Sequence, residues 1–264
     1  MLNEKCNSGL FCVFRNLSFM NQAVDNLGTA IWKSLMSRKT FSQEMQEIKD
    51  EILMLSSMVE QAVMDSAEAL KDNDLEHSRQ IRSNDMSVNR KRFEVEISIM
   101  VLMATQQPIA HDLRRLAASL DICTELERMG DYAKGIANIN IRSEGLSLPH
   151  ILRDIYSMAE KAVDMLHRAM TAFADEDIQT AQAILQEDDV IDACYSGLYH
   201  EAIHSVLVDP RNIERANYVI WAAHNLERLG DRVTNICERV IYIVTGERPE
   251  LDAIPQEFKL SVEV

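Results

Sequence analysis

The sequence predicts an all-α protein built from two tandem three-helix bundles. Only 8 Gly and 5 Pro occur among 264 residues, whereas the two together make up about 12% of an average globular chain. A chain with so few turn-forming residues must consist of a few long helices. The segment Leu126–Asp131 also recurs as Leu226–Asp231 with five of six positions identical, which indicates an internal duplication.

The first bundle is predicted to begin after residue 39. Asp72-Asn73-Asp74 ends its first helix, and a second helix runs to about Thr105. Gln106-Gln107-Pro108 ends the second helix, because proline lacks an amide hydrogen and disfavours helix in the residue before it. Ile109 then opens the third. Apolar residues of the first helix, with the small polar Ser66 among them, recur at alternating steps of four and three, which place them on one helix face: Phe41, Met45, Ile48, Ile52, Leu55, Val59, Ala62, Ser66 and Ala69.

The same order of helices repeats after the linker-like segment Ser143–Pro149. One amphipathic helix covers Ile151–Phe173, and a second covers Ile178–Val208. Asp209-Pro210 breaks the second, and the last helix runs from Arg211 to about Gly246. Long helices with apolar stripes at this spacing pack as bundles.

The chain is therefore divided into four segments. The first bundle occupies residues 40–145 and the second occupies residues 146–248. Residues 1–39 form an N-terminal extension with five basic and two acidic side chains; both disorder and a translation start at Met36 remain open for it. Residues 249–264 form a C-terminal tail.

Charge and composition exclude several classes of function. The formal net charge of −15 argues against nucleic acid or an anionic membrane as the partner, because no basic surplus exists to displace counterions. No stretch of 18 apolar residues occurs, so no membrane insertion is expected. The five cysteines form no Cys-x-x-Cys pair, which excludes a zinc knuckle and fits reduced thiols in the cytosol.

The repeated motif carries two acids on one helix face. Glu127 and Asp131 lie four residues apart, as do Glu227 and Asp231. Like charges at this spacing destabilise a helix by a few tenths of a kcal/mol, and the glycine between them adds roughly 1 kcal/mol. Because both halves accept both costs, the position is expected to need close backbone approach and two carboxylates that point the same way.

The middle helix of each bundle supplies a matching pair. In the second half, Asp188 and Asp192 fall within an otherwise apolar stripe, and the aligned residues of the first half are Asp85 and Asn89. Carboxylates at such seam positions are unfavourable unless they are paired or bind a cation. If the middle and last helices face each other, four oxygen-bearing side chains converge in each bundle. This donor set suits hard cations such as Mg, Ca, Mn or iron, and the second half is the stronger site.

Two alternatives stand beside metal binding. Arg128, Arg228 and Arg232 are close enough in sequence to form salt bridges with the acids, which would make the protein a metal-free helical adaptor. A carboxylate-bridged metal enzyme would need two Glu-x-x-His motifs in one bundle. We find one, Glu201–His204, so the enzyme interpretation is weak and we expect no catalytic residues.

The motifs together resemble those of a known family. The doubled Glu-Arg-[Met/Leu]-Gly-Asp motif, Gln107-Pro108 and the terminal run Asn235–Glu247 are similar to the PhoU family of phosphate-transport regulators. The resemblance covers about Met36 to Gly246.

This resemblance implies a cytoplasmic, non-enzymatic, often dimeric protein that negatively regulates phosphate uptake and the phosphate-starvation response. Its implied partners are the ATPase subunit of the phosphate ABC transporter and the sensor histidine kinase of the phosphate response. Some members carry multinuclear metal clusters, commonly iron, which makes iron the expected metal ahead of Mg, Mn, Ca or Zn. The positions that match the metal motif are Asp85, Asn89, Glu127, Asp131, Asp188, Asp192, Glu227 and Asp231; Asn89 departs from the acidic pattern and weakens the first site.

Overall fold

Seven α-helices, one 3-10 turn and no strand make up the part of the chain that the structure covers. The computed structural model describes residues 8–144 and 148–247. The chain forms two compact units, with a boundary between Glu47 and Ile48; this boundary falls within the first helix, and the remaining helices belong to the second unit. The all-α, doubled fold predicted from the sequence is confirmed. The helices are α1 (Ser8–Asp72), α2 (Leu75–Gln106), α3 (Ala110–Ser143), α4 (Pro149–Asp175), α5 (Ile178–Leu185), α6 (Asp188–Val208) and α7 (Ile213–Thr245).

Local chemistry sets the helix ends close to where the sequence predicts them. The Asp74 carboxylate accepts a hydrogen bond from the amide of His77 at 2.9 Å and caps α2. Asp177 caps α5 in the same way through the amide of Gln179 at 2.9 Å. Such a cap satisfies an amide that has no partner within its helix. Gly246 ends α7 with a φ of +79°, a backbone conformation that glycine adopts without strain.

The middle helix of the second bundle differs from its prediction. Instead of one helix over Ile178–Val208, α5 ends at Leu185 and α6 begins at Asp188. The amides of Gln186 and Glu187 bond to carbonyls three residues earlier, at 3.1 and 3.0 Å, which tightens the chain into a short kink. No Gly or Pro marks this place, so the apolar spacing alone suggested an unbroken helix.

The two bundles meet through α3 and α7, which run antiparallel. Nε of Arg114, near the start of α3, donates to the carbonyl of Ile243, near the end of α7, at 3.2 Å. At the other end of the pair, the Tyr218 hydroxyl donates to the carbonyl of Arg142 at 3.4 Å. This register brings the two acidic motifs to the same level of the molecule. The buried faces of both helices, including Leu126 and Leu226, contribute to one core.

The structure describes part of the predicted N-terminal extension and none of the predicted C-terminal tail. α1 begins at Ser8, within the predicted extension of residues 1–39, and residues 1–7 lie outside the described residues. The predicted tail at 249–264 also lies outside them. Among the described helices, none is both long and apolar enough to cross a membrane.

Candidate functional site

Each acidic motif lies where the last helix of a bundle touches the middle helix. A Cβ atom at Gly130 would lie 3.2 Å from Cγ1 of Val88, so α3 meets α2 here with almost no room for a side chain. A Cβ atom at Gly230 would lie 3.3 Å from Cγ2 of Ile191 on α6. The predicted close approach is therefore found in both bundles, and Val88 and Ile191 occupy equivalent positions.

In the first bundle, a lysine ammonium lies between the acids of the two helices. Nζ of Lys134 is 2.7 Å from Oδ2 of Asp85 on α2 and 3.5 Å from Oδ1 of Asp131 on α3. Nδ2 of Asn89 also donates to Oδ2 of Asp85, at 3.2 Å. Asp85 is only 8% exposed, and its hydrogen bond is the main reason that the pKa of Lys134 is raised. The ammonium thus neutralises the most buried carboxylate of this site.

Glu127 completes the first group of charges. Burial raises the pKa of its carboxyl group, and the carboxylate of Asp131 raises it further. Arg92 on α2 lowers the same pKa, while Asp85 raises it. Glu127 is therefore close to the charges of two other predicted site positions, Asp85 and Asp131, and to the cations Arg92 and Arg128, so the first site contains both signs of charge.

The second bundle lacks this lysine. Burial raises the pKa of Glu227, and the carboxylates of Asp231 and Asp192 raise it as well, against an opposing effect of His224. Oε2 of Glu227 is buried and has no hydrogen bond that meets the usual angular criteria. The same atom lies 3.0 Å from Nδ1 of His224, and this contact lowers the pKa of Glu227. The site therefore holds mutually repelling carboxylates, with the His224 imidazole beside the buried oxygen of Glu227.

The predicted positions on α6 need one correction. The buried side chains there include Ile191, Leu198 and Ala202, whereas Asp192 is exposed. The prediction that Asp192 lies at a seam position is therefore wrong. The kink before α6 shifts the helix face, so the apolar stripe extrapolated from α5 does not continue onto it. Asp188 is the first residue of α6, and its side chain lies outside the described part of the structure.

The two sites differ in how well they fit a metal ion. Among the described residues, no three His, Cys, Asp or Glu side chains are already arranged to hold one. In the second site, Oε2 of Glu227 is buried beside the His224 imidazole, and the carboxylates of Asp192 and Asp231 lie close enough to repel Glu227. Such an arrangement fits a cation, because a cation would relieve the repulsion. In the first site, Lys134 already fills that role.

The arginines considered as alternative partners of the acids contact other groups. Nη1 of Arg128 and Nη1 of Arg232 each lie 3.4 Å from a carboxylate oxygen of Glu125. The guanidinium of Arg228 lies over the ring of Tyr132, 4.7 Å from its centre. The contacts of Arg232 with Glu125 and of Arg228 with Tyr132 join α7 to α3 and therefore the two bundles, whereas the contact of Arg128 with Glu125 lies within α3.

The single Glu-x-x-His motif lies apart from the acidic groups. Oε1 of Glu201 is 3.5 Å from Nε2 of His150, at the start of α4. His204 is exposed. These positions give no support to a di-iron enzyme site built on that motif.

Comparison with known proteins identifies the family. The model of the PhoU domain matches twice, over residues 52–139 and 155–240. The chain belongs to the PhoU family. The two matches coincide with the duplication seen in the sequence, and each contains one acidic motif.

PhoU proteins from several bacteria are similar to this chain over most of their length. A phosphate-specific transport system accessory protein PhoU homolog of Clostridium acetobutylicum is 32% identical over 218 residues, which are 82% of this chain and 100% of that protein. The PhoU of Escherichia coli K12 is 30% identical over 78% of this chain and 86% of its own length.

Solved PhoU structures share the fold. The crystal structure of PhoU from Pseudomonas aeruginosa matches with a TM-score of 0.73 at 32% identity, over 78% of this chain and 100% of that one. PhoU from Streptococcus pneumoniae matches with a TM-score of 0.73 at 29% identity, over 79% and 98% of the two chains.

The sequence interpretation missed the cations of the first site. Lys134 follows Asp131 by three residues and therefore shares its helix face, and Arg92 follows Asn89 by three residues on α2. Alignment of the two halves shows the difference in sequence, because Thr234 replaces Lys134 and Tyr195 replaces Arg92 in the second half. Both positions lie outside the repeated segment Leu126–Asp131, so the repeat alone does not reveal the two cations.

Proposed function

We propose that this protein is an accessory protein of a phosphate-specific transport system that restrains phosphate uptake and the phosphate-starvation response without catalysing a reaction. The observation that carries this proposal is the double PhoU domain match over nearly the whole described core. Relatives similar along 85% or more of their own length, among them one from Edwardsiella tarda, are named as accessory proteins of that system. Its proposed partners are the ATPase subunit of the phosphate ABC transporter and the sensor histidine kinase.

An exposed apolar face on α2 supports action by docking. Phe93, Ile97, Met100 and Val101 are 59%, 42%, 52% and 55% exposed. Their spacing places them on one side of α2, opposite the buried Val95. Large apolar side chains clustered on a surface are typical of protein contact sites. We assign this α2 face, defined by the four exposed residues, to contact with the transporter ATPase.

A metal ion in the second bundle is part of the proposal. Asp192, Glu227 and Asp231 would bind it, together with Asp188 according to the sequence. Iron is the metal that the family resemblance favours, with Mg, Mn, Ca or Zn as alternatives. When bound, the ion supplies positive charge that offsets the carboxylate repulsion, while the protein side chains hold α6 against α7.

We also propose that the protein acts in the cytoplasm as a homodimer. Apolar side chains are exposed at the junction of α6 and α7 as well, where Leu207, Val208 and Ile213 are 78%, 72% and 66% exposed. A second docking face of this kind allows self-association and partner binding at the same time. Light scattering of the purified chain over a range of concentrations tests this, and a mass that stays monomeric would exclude the dimer.

Co-purification with the transporter ATPase tests the docking function. The tagged full-length chain should retain the ATPase subunit from cells grown with ample phosphate. The variant Phe93→Glu/Met100→Glu should lose most of it, because two charges would be buried at the contact. Ser98→Glu serves as the control, since residue 98 is exposed on α2 but lies outside the apolar face. Absence of the ATPase at every phosphate level, or equal retention by all variants, would contradict the proposal.

A further inference from the structure

The two acidic motifs have different surroundings although their sequences are nearly identical. The motif glycines contact equivalent residues, Val88 and Ile191, so the halves can be superposed position by position at this place. Lys134 then corresponds to Thr234 in the second bundle. The difference between the sites therefore lies in the side chains around the motif and not in the backbone that carries it.

The Lys134 ammonium lies between the carboxylates of the first site, where a bound metal ion would contact them. It donates to Oδ2 of Asp85 at 2.7 Å and lies 3.5 Å from Oδ1 of Asp131, so it bridges α2 and α3 as a cation would. An ammonium has three donors and no lone pair, so it satisfies carboxylates but cannot ligate a metal. The Asn89 amide donates to the same oxygen of Asp85, which leaves that oxygen with two donors.

A second cation adds to the compensation. Arg92 is near enough to Glu127 to lower the pKa of its carboxyl group, and it also forms an ion pair with Glu96 at 2.9 Å. In the second bundle, Tyr195 takes the place of Arg92. The first site therefore has two built-in positive charges at positions where the second site has two neutral side chains.

We infer that the first bundle binds no metal because Lys134 serves as its built-in cation, so that any metal bound by this chain is confined to the second bundle. The PhoU pattern thus disagrees with the residues of this chain at Asp85, Asn89, Glu127 and Asp131. The inference uses the proposed metal site of the second bundle only as a point of comparison.

Mn2+ binding by the full-length chain tests the inference, with free Mn2+ measured by electron paramagnetic resonance. The variant Glu227→Ala/Asp231→Ala removes the acids of the second site on α7. We expect this variant to bind no more Mn2+ than buffer does. If it binds as much as the wild type, the first bundle holds metal beside Lys134 and the inference is wrong.

A gain of binding tests the role of the lysine directly. In the Glu227→Ala/Asp231→Ala background, Asn89→Asp plus Lys134→Thr gives the first site the residues of the second at these two positions and leaves Arg92 in place. We expect Mn2+ to bind at least about tenfold more tightly than in the background alone. Asn89→Asp without the lysine change, and Lys161→Thr as a matched loss of a surface charge, should give no gain. A folded Asn89→Asp/Lys134→Thr variant without gain would overturn the inference.

Two further outcomes are also decisive. If the lysine variant does not fold, as shown by circular dichroism, the Glu227→Ala/Asp231→Ala result alone decides, because that variant changes only the other bundle. If the wild type binds no Mn2+, the proposed second site fails for this ion, whereas the gain of binding in the first bundle still supports or refutes the role of Lys134.

Discussion

Nζ of Lys134 lies 2.7 Å from Oδ2 of Asp85, and this ion pair joins α3 to α2 beside the glycine contact of the first bundle. The carboxylate is buried, while about a third of the lysine side chain is exposed. Removing the cation that is paired with a buried carboxylate lowers the free energy of unfolding far more than removing the partner of an exposed carboxylate. The pair should therefore matter for folding as well as for charge balance.

Lys134→Met is expected to lower the free energy of unfolding by about 2 kcal/mol, the size of a hydrogen bond to a charged group. Urea unfolding in the presence of a chelator measures this. Asp131→Asn is the control, because Asp131 is exposed and more distant, and its change should stay within about 0.5 kcal/mol. Adding Asp85→Asn to Lys134→Met should recover most of the loss. Equal effects of Lys134→Met and Asp131→Asn would contradict this account of the ion pair.

Gly130 should couple energetically to Val88. Gly130→Ala gains about 1 kcal/mol of helix propensity, but its Cβ would lie 3.2 Å from Cγ1 of Val88. In a double-mutant cycle, the loss of unfolding free energy caused by Val88→Ala should therefore be about 1 kcal/mol smaller in the Gly130→Ala background than in the wild type.

Gly197→Ala is the matched control for the glycine cycle. Nothing lies within 4 Å of a Cβ at Gly197 on α6. This variant should be stabilised by helix propensity alone, and it should show no coupling to Val88. Strict additivity of Gly130→Ala and Val88→Ala would show that the close approach has no energetic role.

The kink before α6 should depend on pH through Glu187. Nη1 and Nη2 of Arg168 donate to the two carboxylate oxygens of Glu187 at 3.0 and 2.5 Å. This bidentate contact lowers the pKa of Glu187. The stabilisation is therefore present above the ordinary pKa of about 4.5 and is lost as the pH falls through the lowered pKa. Both side chains are more than a third exposed, so Glu187→Gln should lower stability by only about 0.5 kcal/mol at pH 7.

Thermal unfolding from pH 7 to pH 2 measures the effect of Glu187. The difference between wild type and Glu187→Gln should disappear at the acid end. Asp164→Asn is the control, since Asp164 contacts Arg168 through Nε and is 68% exposed. A difference that persists unchanged at low pH would mean that the loss comes from packing and not from the charge.

The pH dependence of stability that comes from Glu227 should be opposite to that from Glu187. Its pKa is raised above 4.5 by burial and by the carboxylates of Asp231 and Asp192, so its ionised form destabilises the folded protein when no metal is bound. In the presence of a chelator, so that no metal is bound, Glu227→Gln should then raise the free energy of unfolding at pH 7 by roughly 0.5 kcal/mol, the scale of a like-charge pair at this helical spacing. The penalty on the wild type is absent below about pH 4.5 and grows as the pH rises through the raised pKa, so the two proteins should converge in acid.

Added Mn2+ should reverse the order of stability for Glu227→Gln. A metal that binds the folded wild type stabilises it, whereas the variant lacks one ligand. Glu94→Gln, exposed on α2, controls for the loss of a surface charge. A variant that is less stable than the wild type at pH 7 without metal would show that the site carries no repulsion.

Local signals in the sequence were sufficient for several helix ends and for the doubled fold, but not for the start of α1 at Ser8. Asp74 and Asp177 cap helices because their short acidic side chains reach the following amides, and Pro108 cannot continue one. The kink at Gln186 and Glu187 was not predictable from spacing, because apolar residues continue through it and its stabilising contact comes from Arg168 on another helix.

The acidic groups were predictable in part. The four-residue spacing placed Glu227 and Asp231 on one face, and the repeat of the glycine indicated the close helix contact. The role of Lys134 could not be read from α3 alone, because it depends on Asp85 of α2 lying across the helix interface. The role of a residue outside the repeated motif becomes clear only when the position of the partner helix is known.

The phosphate uptake rate of living cells tests the central claim most directly. Deleting the gene should raise the uptake of labelled phosphate in phosphate-rich medium, and expression of the full-length chain should restore the lower rate. The Phe93→Glu/Met100→Glu variant should fail to restore it, whereas Ser98→Glu should succeed. Uptake that is the same with and without the gene would contradict the proposal that this protein restrains phosphate transport.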